Sequence, residues 1–312
     1  MCKRGLKTKV LDLFCGMGGF AQGFKSAGFR VTGVDISEHA GKTYELNNIG
    51  IFKYVDLSRC FIQGDYDVII GGPPCKPWSA VNTIRRGKKH RDYVLISRFF
   101  KHVELIQPKV FLLENVPLLA AEEKLDQIIK ELSNMGYSTQ AKVVSYSDYG
   151  APTKRHRYML FGTKLGSAEM FFERLKMHTS RYKSVKDAIW KLRDVEKGDF
   201  PDHVWPELKT IDNYLENYKS NKFGWYILKW NEPAPSFGNI MKTYILHPDA
   251  FNGGKSTRVI SVREALLIMG FDECFHFPDG LGLGVRYQMI VDSVSPVFSF
   301  AAAKVVRELI NH

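Results

Sequence analysis

Short apolar segments alternate with amphipathic, helix-like segments over the first half of this 312-residue chain, and this alternation restricts its fold more than any other feature. The apolar segments predict strands at 8–14, 30–35, 67–72, 109–115, 138–144 and 157–163. The segments between them predict helices at 18–28, 37–47, 93–106 and 122–135. Strands joined by right-handed helical crossovers form a doubly wound sheet. We therefore expect an α/β fold with a doubly wound, mostly parallel sheet.

The alternation ends after about residue 165. Residues 180–257 contain four of the five tryptophans and no clear repeat, which indicates a smaller, irregular domain. Two further helices are predicted at 258–271 and 295–310. Because the chain exceeds the usual size of one domain, a large domain with a smaller companion is the expected organisation.

The composition favours a polyanionic partner and a reducing compartment. A formal net charge of +11 suits phosphates, because cations that neutralise them release condensed counterions. The five cysteines contain no CxxC pair, so we expect neither a metal site nor a disulfide framework. The apolar runs are too short to cross a bilayer, and the basic N-terminus leads into no signal-peptide core. We therefore expect a cytoplasmic protein with no membrane partner.

A glycine-rich turn follows the first predicted strand, in the segment DLFCGMGGF at 12–20. Glycines allow a tight turn and a close approach of the backbone to a ligand, and the next helix offers free N–H groups. Asp35 ends the second strand, where an acid typically holds the two hydroxyls of a ribose. Asp56 is placed to meet an adenine edge. Together they favour an adenosine-containing cofactor, although the turn alone could be purely structural.

A single cysteine lies on a proline-rich loop after the third strand, in GGPPCKPWS at 71–79. The next strand ends in LLENVP at 112–117, so Cys75 and Glu114 should lie over one pocket at the edge of the sheet. The thiolate is the reactive form of cysteine, and the prolines fix the loop as a positioned nucleophile requires. A free cysteine on its own is more often an inert buried residue. The pair with Glu114 favours the nucleophile.

These segments resemble the motifs of the prokaryotic-type cytosine-5-specific DNA methyltransferases. DLFCGMGGF is similar to the motif that binds S-adenosylmethionine, GGPPCKPWS to the proline-cysteine motif and ENV to the glutamate motif. TKRHRYMLFG at 153–162 resembles the arginine motif, and RVISVREALLIMGF at 258–271 resembles the late helix of the family. The motifs follow one another in the family's order through nearly the whole chain. The resemblance implies the Rossmann-like fold of S-adenosylmethionine-dependent methyltransferases.

The resemblance also implies a mechanism. Cys75 would add to C6 of cytosine, while Glu114 hydrogen-bonds N3 and the exocyclic amine. Arg157 would hold Glu114, and Arg155 and Arg157 would contact the base and the neighbouring backbone. Because C6 is inaccessible inside a duplex, the cytosine must be flipped out of double-stranded DNA.

Two sets of binding residues follow from the resemblance. The expected cofactor contacts are Phe14, Cys15, Gly16, Gly18, Gly19, Asp35, Ile36, Asp56, Leu57 and Pro73. The basic segment at 79–93 would be a mobile flap that closes over DNA phosphates rather than an ordinary solvated loop. Its expected DNA contacts are Ser79, Arg85, Arg86, Lys88, Lys89 and Arg91.

The same resemblance divides the chain into functional parts. We expect a catalytic and cofactor-binding domain over 1–180, a target-recognition domain over 181–284 and a C-terminal segment, 285–312, that returns to the catalytic domain. Arg258, Arg263 and Glu264 match a family motif, and we expect Arg263 and Glu264 to belong to a buried ion pair. The protein should act as a monomer, and a cognate restriction endonuclease, where one exists, should act separately.

The sequence departs from the family pattern at several positions. Lys76 replaces the glutamine that usually follows the cysteine, and Thr153 replaces a common glutamine. Val291 and Asp292 replace a glycine and an asparagine, which puts cofactor affinity in question. Two alternatives therefore stay open. One is a tRNA cytosine-5 methyltransferase, although the Cys-Phe-Thr signature of that branch is absent, and the other is a DNA-binding relative without activity.

Overall fold

The computed structural model describes residues 8–75, 91–207, 211–220, 225–251 and 257–311. Seven strands form the main sheet: β1 (Lys9–Leu13), β2 (Arg30–Asp35), β3 (Ile51–Tyr54), β4 (Val68–Gly71), β5 (Val110–Asn115), β6 (Ser138–Ser145) and β8 (His156–Thr163). Their order is β3-β2-β1-β4-β5-β8-β6, and β8 is the one strand of this sheet that runs opposite to the other six. The predicted doubly wound, mostly parallel sheet is confirmed. A small second sheet pairs β7 (Thr153–Lys154) with β9 (Ala234–Pro235).

The helices of the first half cover both faces of the sheet. They are α1 (Gly19–Ser26), α2 (Glu38–Leu46), α3 (Val94–Ile106), α4 (Glu123–Asn134) and α5 (Glu169–Lys176). The later helices are α6 (Val185–Ile189), α7 (Leu215–Lys219), α8 (Ile240–Thr243), α9 (Val262–Ile268), α10 (Leu283–Asp292) and α11 (Pro296–Asn311). Ser37 caps α2 by accepting a hydrogen bond from the Ala40 N–H, at 3.2 Å, as its position predicts.

Burial on both sides explains why the central strands are almost continuously apolar. In β5, Val110 and Leu112 pack into the core cluster that contains α1 and α11, whereas Phe111 and Leu113 pack into the cluster that contains α3 and α4. All four side chains are fully buried. A strand with helices on both faces cannot alternate apolar and polar residues, because each of its sides faces a core.

The C-terminal helix returns to the first helix. An added Cβ on Gly23 of α1 would meet the backbone of α11 at Ser299 and Phe300, so the two helices approach closely only because Gly23 has no side chain. The segment Leu283–Asn311 is long and apolar enough to span a membrane, but about 72% of its apolar stretch is buried inside the protein. It comprises two helices, α10 and α11, which complete the core. The domain boundaries at 180 and 284 stay predictions.

The predicted ion pair at the start of α9 has different partners from those expected. Arg263 and Glu264 are both fully buried, but Glu264 pairs with Arg258 through two hydrogen bonds of 2.7 and 2.8 Å. Arg263 instead donates to the carbonyl of Pro201 at 2.8 Å and pairs with Asp202 at 3.4 Å. Consecutive residues on a helix point in different directions, so one pair could not satisfy both side chains. The expectation that Arg263 pairs with Glu264 is wrong.

Candidate active site

The turn after β1 leaves an open cradle at the carboxyl edge of the sheet. The Gly16 N–H donates to Asp35 Oδ2 at 3.0 Å, and the Ser37 N–H donates to Asp35 Oδ1 at 2.9 Å, so the second strand holds the turn in place. Gly16 has a φ of 51°, and a Cβ added there would meet no atom within 4 Å. Phe14 also has a positive φ, 59°, a conformation that a non-glycine residue rarely adopts. The backbone at Gly16 is therefore open to a ligand.

The other two glycines of the turn serve packing. A Cβ on Gly18 would clash with the side chains of Ile49 and Tyr44, and one on Gly19 would clash with Ser293 Oγ and the carbonyl oxygen of Val294. The sequence predicted ligand contacts for all three glycines, and the structure leaves open space only at Gly16.

The residues that follow β2 and β3 suit an adenosine. Burial raises the pKa of Asp35, and the backbone hydrogen bonds from Ser37 and Gly16 oppose that rise. The neighbouring Ile36 side chain is 54% exposed, which provides an uncovered apolar surface next to the carboxyl group. Asp56 accepts hydrogen bonds from the backbone and hydroxyl groups of Ser58, which lower its pKa. The two carboxyl groups of Asp35 and Asp56 and the exposed apolar side chain of Ile36 are the groups that a ribose and its base would need.

Three further cofactor candidates contribute little side-chain surface to this cradle. Cys15 and Leu57 are buried in the two cores, and burial raises the pKa of the Cys15 thiol well above its ordinary value. Pro73 is also buried, and its carbonyl oxygen accepts a hydrogen bond of 2.9 Å from Asn115 Nδ2. A ligand would reach Cys15 and Leu57 mainly through their backbone.

Asn115 fixes the loop that carries the candidate nucleophile. Besides its bond to Pro73, it accepts a hydrogen bond from the Val116 N–H at 2.9 Å, and its side chain is buried. The end of β5 is thereby tied to the loop after β4, two residues before Cys75. The sequence identified the ENV segment but gave Asn115 no role. The residue type and its place beside Glu114 were the only indications.

Glu114 is held by two donors on β8 and the segment before it. Its Oε1 pairs with Arg157 Nε at 2.8 Å and accepts a hydrogen bond from the Tyr146 hydroxyl at 3.1 Å. Oε2 lies over the loop of Cys75, because a Cβ added to Gly72 would come within 3.1 Å of it. The pairing of Arg157 with Glu114 agrees with the role that the resemblance implied. Tyr146, which stacks on Phe298 with ring centroids 5.1 Å apart, was not predicted, and no local pattern marks it.

Cys75 lies among four charged groups. Burial raises the pKa of its thiol, and Asp292 and Glu114 raise it further, while Arg157 and Arg155 lower it. The net effect is a raised pKa, so the thiol is protonated near neutral pH. Glu114 and both arginines therefore act electrostatically on the cysteine.

Arg155 is turned towards the C-terminal wall of this pocket. It is buried and donates through Nη2 to the carbonyl oxygen of Val291, and its Nε has no hydrogen-bond partner among the described residues. Burial and the nearby Arg157 lower its pKa to about 10. The Arg155 guanidinium therefore links the end of α10 to the start of β8.

The basic segment lies mostly outside the described residues. Ser79, Arg85, Arg86, Lys88 and Lys89 fall there, as does Lys76. Arg91 begins a short 3₁₀ turn before α3, and its side chain is likewise not described. Within the described ranges no group of three or more His, Cys, Asp or Glu side chains is placed to hold a metal ion.

Comparison with known proteins gives concordant matches. The sequence profile of the family described as C-5 cytosine-specific DNA methylase matches residues 8–308. Type II methyltransferase M1.HphI of Haemophilus parahaemolyticus is 33% identical over 97% of this chain and 88% of its own length. Type II methyltransferase M.FnuDI of Fusobacterium nucleatum is 29% identical over 97% of this chain and 95% of its own length. A crystal structure of a protein assigned as a DNA modification methyltransferase, encoded within an E. coli prophage, superimposes with a TM-score of 0.75 at 25% identity, covering 98% of this chain and 100% of that one.

Proposed function

Because the chain belongs to the C-5 cytosine-specific DNA methylase family, we propose that it transfers a methyl group from S-adenosylmethionine to C5 of a cytosine flipped out of a specific duplex DNA site. The observation that carries this proposal is the convergence of Cys75, Glu114 and Arg157 in one pocket at the sheet edge that also forms the Gly16 cradle. Two of the relatives are named Type II methyltransferases, so the methylation proposed here would belong to a restriction–modification system.

The open turn and the flanking carboxyl groups fit the adenosine part of the cofactor. Asp35 would hold the ribose hydroxyls and Asp56 the adenine edge, while the exposed side chain of Ile36 covers one face of the base. Gly16 leaves the backbone accessible to the amino-acid end. When bound, S-adenosylmethionine supplies an electrophilic methyl group on a sulfonium.

Cys75 would act as the nucleophile. Its Sγ forms a bond to C6 of the extruded cytosine as the thiol gives up its proton. The C5=C6 electron pair shifts to C4=C5, the C4=N3 pair moves to N3, and N3 takes up that proton. C5 thereby becomes nucleophilic enough to accept the methyl group. Release of the C5 proton to solvent then allows the C6–Sγ bond to break, and the N3 proton returns to the departing sulfur, which restores the ring and the enzyme.

Glu114 would position the base and relay to N3 the proton that the Cys75 thiol gives up. Arg157 and Tyr146 both bind Oε1, which leaves Oε2, on the side of the Cys75 loop, to face the substrate. Each donor fixes the carboxyl group before the base arrives, so no reorganisation is needed during the reaction. Arg157 also lowers the pKa of Cys75 and so favours the thiolate as the C6–Sγ bond forms.

The partners follow from the same proposal. Double-stranded DNA would be bound by the basic residues of the 79–93 segment and recognised through the part of the chain at 181–284. The enzyme would act as a monomer in the cytoplasm, independently of any cognate endonuclease.

Incubation with tritiated S-adenosylmethionine and either duplex DNA or tRNA tests the proposal. Label on DNA is expected, label on tRNA alone would transfer the assignment to tRNA, and label on neither polymer would favour the inactive alternative. Cys75→Ser should abolish transfer yet keep cofactor binding, and DNA that contains 5-fluorocytosine should form a covalent complex with the wild-type chain only. Full activity of the serine variant would refute the role of Cys75.

A further inference from the structure

The segment that joins α10 to α11 is fixed between the two halves of the active site. Just before it, in the last turn of α10, Val291 accepts the hydrogen bond of Arg155, which acts electrostatically on Cys75. Ser293 and Val294 of the segment lie directly against Gly19 of the turn after β1. Asp292 is the residue between these two anchors, so the fold places it between the catalytic pocket and the cofactor cradle.

The Asp292 side chain is exposed but held in position. Gln288, one turn earlier on α10, donates through Nε2 to both carboxylate oxygens, at 2.8 and 2.9 Å. Gln288 Oε1 in turn accepts a hydrogen bond of 3.1 Å from Asn239. Electrostatic repulsion from Asp292 raises the pKa of both Cys75 and Asp35. One carboxylate thus acts electrostatically on both Cys75 and Asp35.

We propose that Asp292 is a cation-selecting residue, which binds the positively charged sulfonium of the methyl donor in preference to the neutral thioether of the product. The inference rests on the proposed function. The methyl group must reach C5, next to the carbon that Cys75 attacks, while the ribose is held at Asp35. The sulfonium joins the methyl group to the ribose, so a donor held in this way would carry its positive charge near the two groups on which Asp292 acts.

A carboxylate at position 292 should favour binding of S-adenosylmethionine over S-adenosylhomocysteine, whereas the neutral asparagine that is usual in the family should not. S-adenosylmethionine carries one positive charge more than S-adenosylhomocysteine, and the rest of the two molecules is the same apart from one methyl group. A unit negative charge near the sulfonium in a partly hydrated site is expected to favour the cation by about threefold to tenfold. After transfer the attraction is lost, which favours release of the product.

Titration calorimetry on the full chain without DNA tests the inference. The dissociation constants of S-adenosylmethionine, sinefungin and S-adenosylhomocysteine are measured for the wild type and for Asp292→Asn. Sinefungin carries an ammonium group near the position of the sulfonium, so it serves as a second, stable cation. We expect Asp292→Asn to weaken both cations by about threefold to tenfold and to leave S-adenosylhomocysteine nearly unchanged.

Two variants complete the experiment. Asp279→Asn removes the same charge from an exposed position in the loop before α10 and should leave all three affinities unchanged. Gln288→Leu removes the two hydrogen bonds that Gln288 donates to the carboxylate without removing its charge, and it should lower the preference for the cations by a smaller factor. Equal weakening of all three ligands by Asp292→Asn, or an unchanged preference, would overturn the inference while the proposed function stands. Failure of the wild type to bind any of the three would overturn both.

Discussion

The hydroxyl of Tyr146 offers a sharp test of how the site positions Glu114. Tyr146→Phe removes the 3.1 Å hydrogen bond to Glu114 Oε1 and keeps the ring, which is fully buried and stacked on Phe298. Arg157 Nε remains 2.8 Å from the same oxygen, so the variant creates no uncompensated buried charge. The expected effect is therefore on the orientation of the carboxyl group, with little effect on the fold.

The magnitude follows from the bond that is lost. Hydrogen bonds to charged groups contribute roughly 1.5–3 kcal/mol, and the surviving bond from Arg157 retains part of that, so we take about 1–2 kcal/mol as the loss. Because about 1.4 kcal/mol corresponds to a tenfold change in rate, kcat should fall roughly 5- to 30-fold. The Michaelis constant for DNA should change little, since Tyr146 acts through Glu114 and has no part in the proposed DNA contacts.

The assay is single-turnover methylation of a duplex site identified by bisulfite sequencing of DNA from cells that express the protein. The matched control is Tyr149→Phe, which removes a hydroxyl from a second ring packed on Phe298, with ring centroids 5.1 Å apart, and has no bond to Glu114. A wild-type rate in Tyr146→Phe would refute the positioning role. Equal losses in the two variants, accompanied by equal falls in melting temperature, would show that the effect is structural.

Two further predictions concern charge. Because burial and the carboxylate of Asp292 raise the pKa of Cys75, alkylation of Cys75 by iodoacetamide in the free protein should require a more alkaline pH than an ordinary thiol does, and Asp292→Asn should shift its profile to lower pH. Mass spectrometry reads the profile, with the exposed Cys60 as an internal reference, and an unshifted Cys75 profile would contradict this electrostatic account. Replacing Arg258 by Met leaves Glu264 buried without its cation, so the free energy of unfolding should fall by about 3–5 kcal/mol. Chemical denaturation measures that change, and a loss below about 1 kcal/mol would show that the pair contributes little.

The sequence predicted most of the sheet because its strands are buried on both faces. Strand β3 was missed, since it lies at the edge of the sheet and three of its four residues are exposed, so no continuous apolar run marks it. Helix α10 was also missed. It begins at Leu283, within a glycine-rich segment at 280–284 that is typical of a loop, and its place in the core depends on contacts with α8 and α9. Tertiary packing decided both elements.

The residues of the candidate site likewise fall into those that strand order predicts and those that depend on tertiary packing. Cys75 and Glu114 could be brought together from the sequence, because adjacent parallel strands end at one edge of the sheet. The contacts of Tyr146 with Glu114 and of Asn115 with Pro73 join residues 32 and 42 positions apart. Such contacts depend on the exact placement of side chains, which periodicity does not determine. The partner of Glu264 was misassigned for the same reason.

The balance of charges around Cys75 has a consequence for when the nucleophile forms. Two guanidinium groups favour the thiolate, but burial and two carboxylates outweigh them, so the free enzyme holds a neutral thiol. A sulfonium between Cys75 and Asp35 would offset the field of Asp292, and a cytosine hydrogen-bonded to Glu114 would offset that of the second carboxylate. Both contacts act in the same direction, so we expect the pKa of Cys75 to be lower with the methyl donor and the base bound than in the free enzyme.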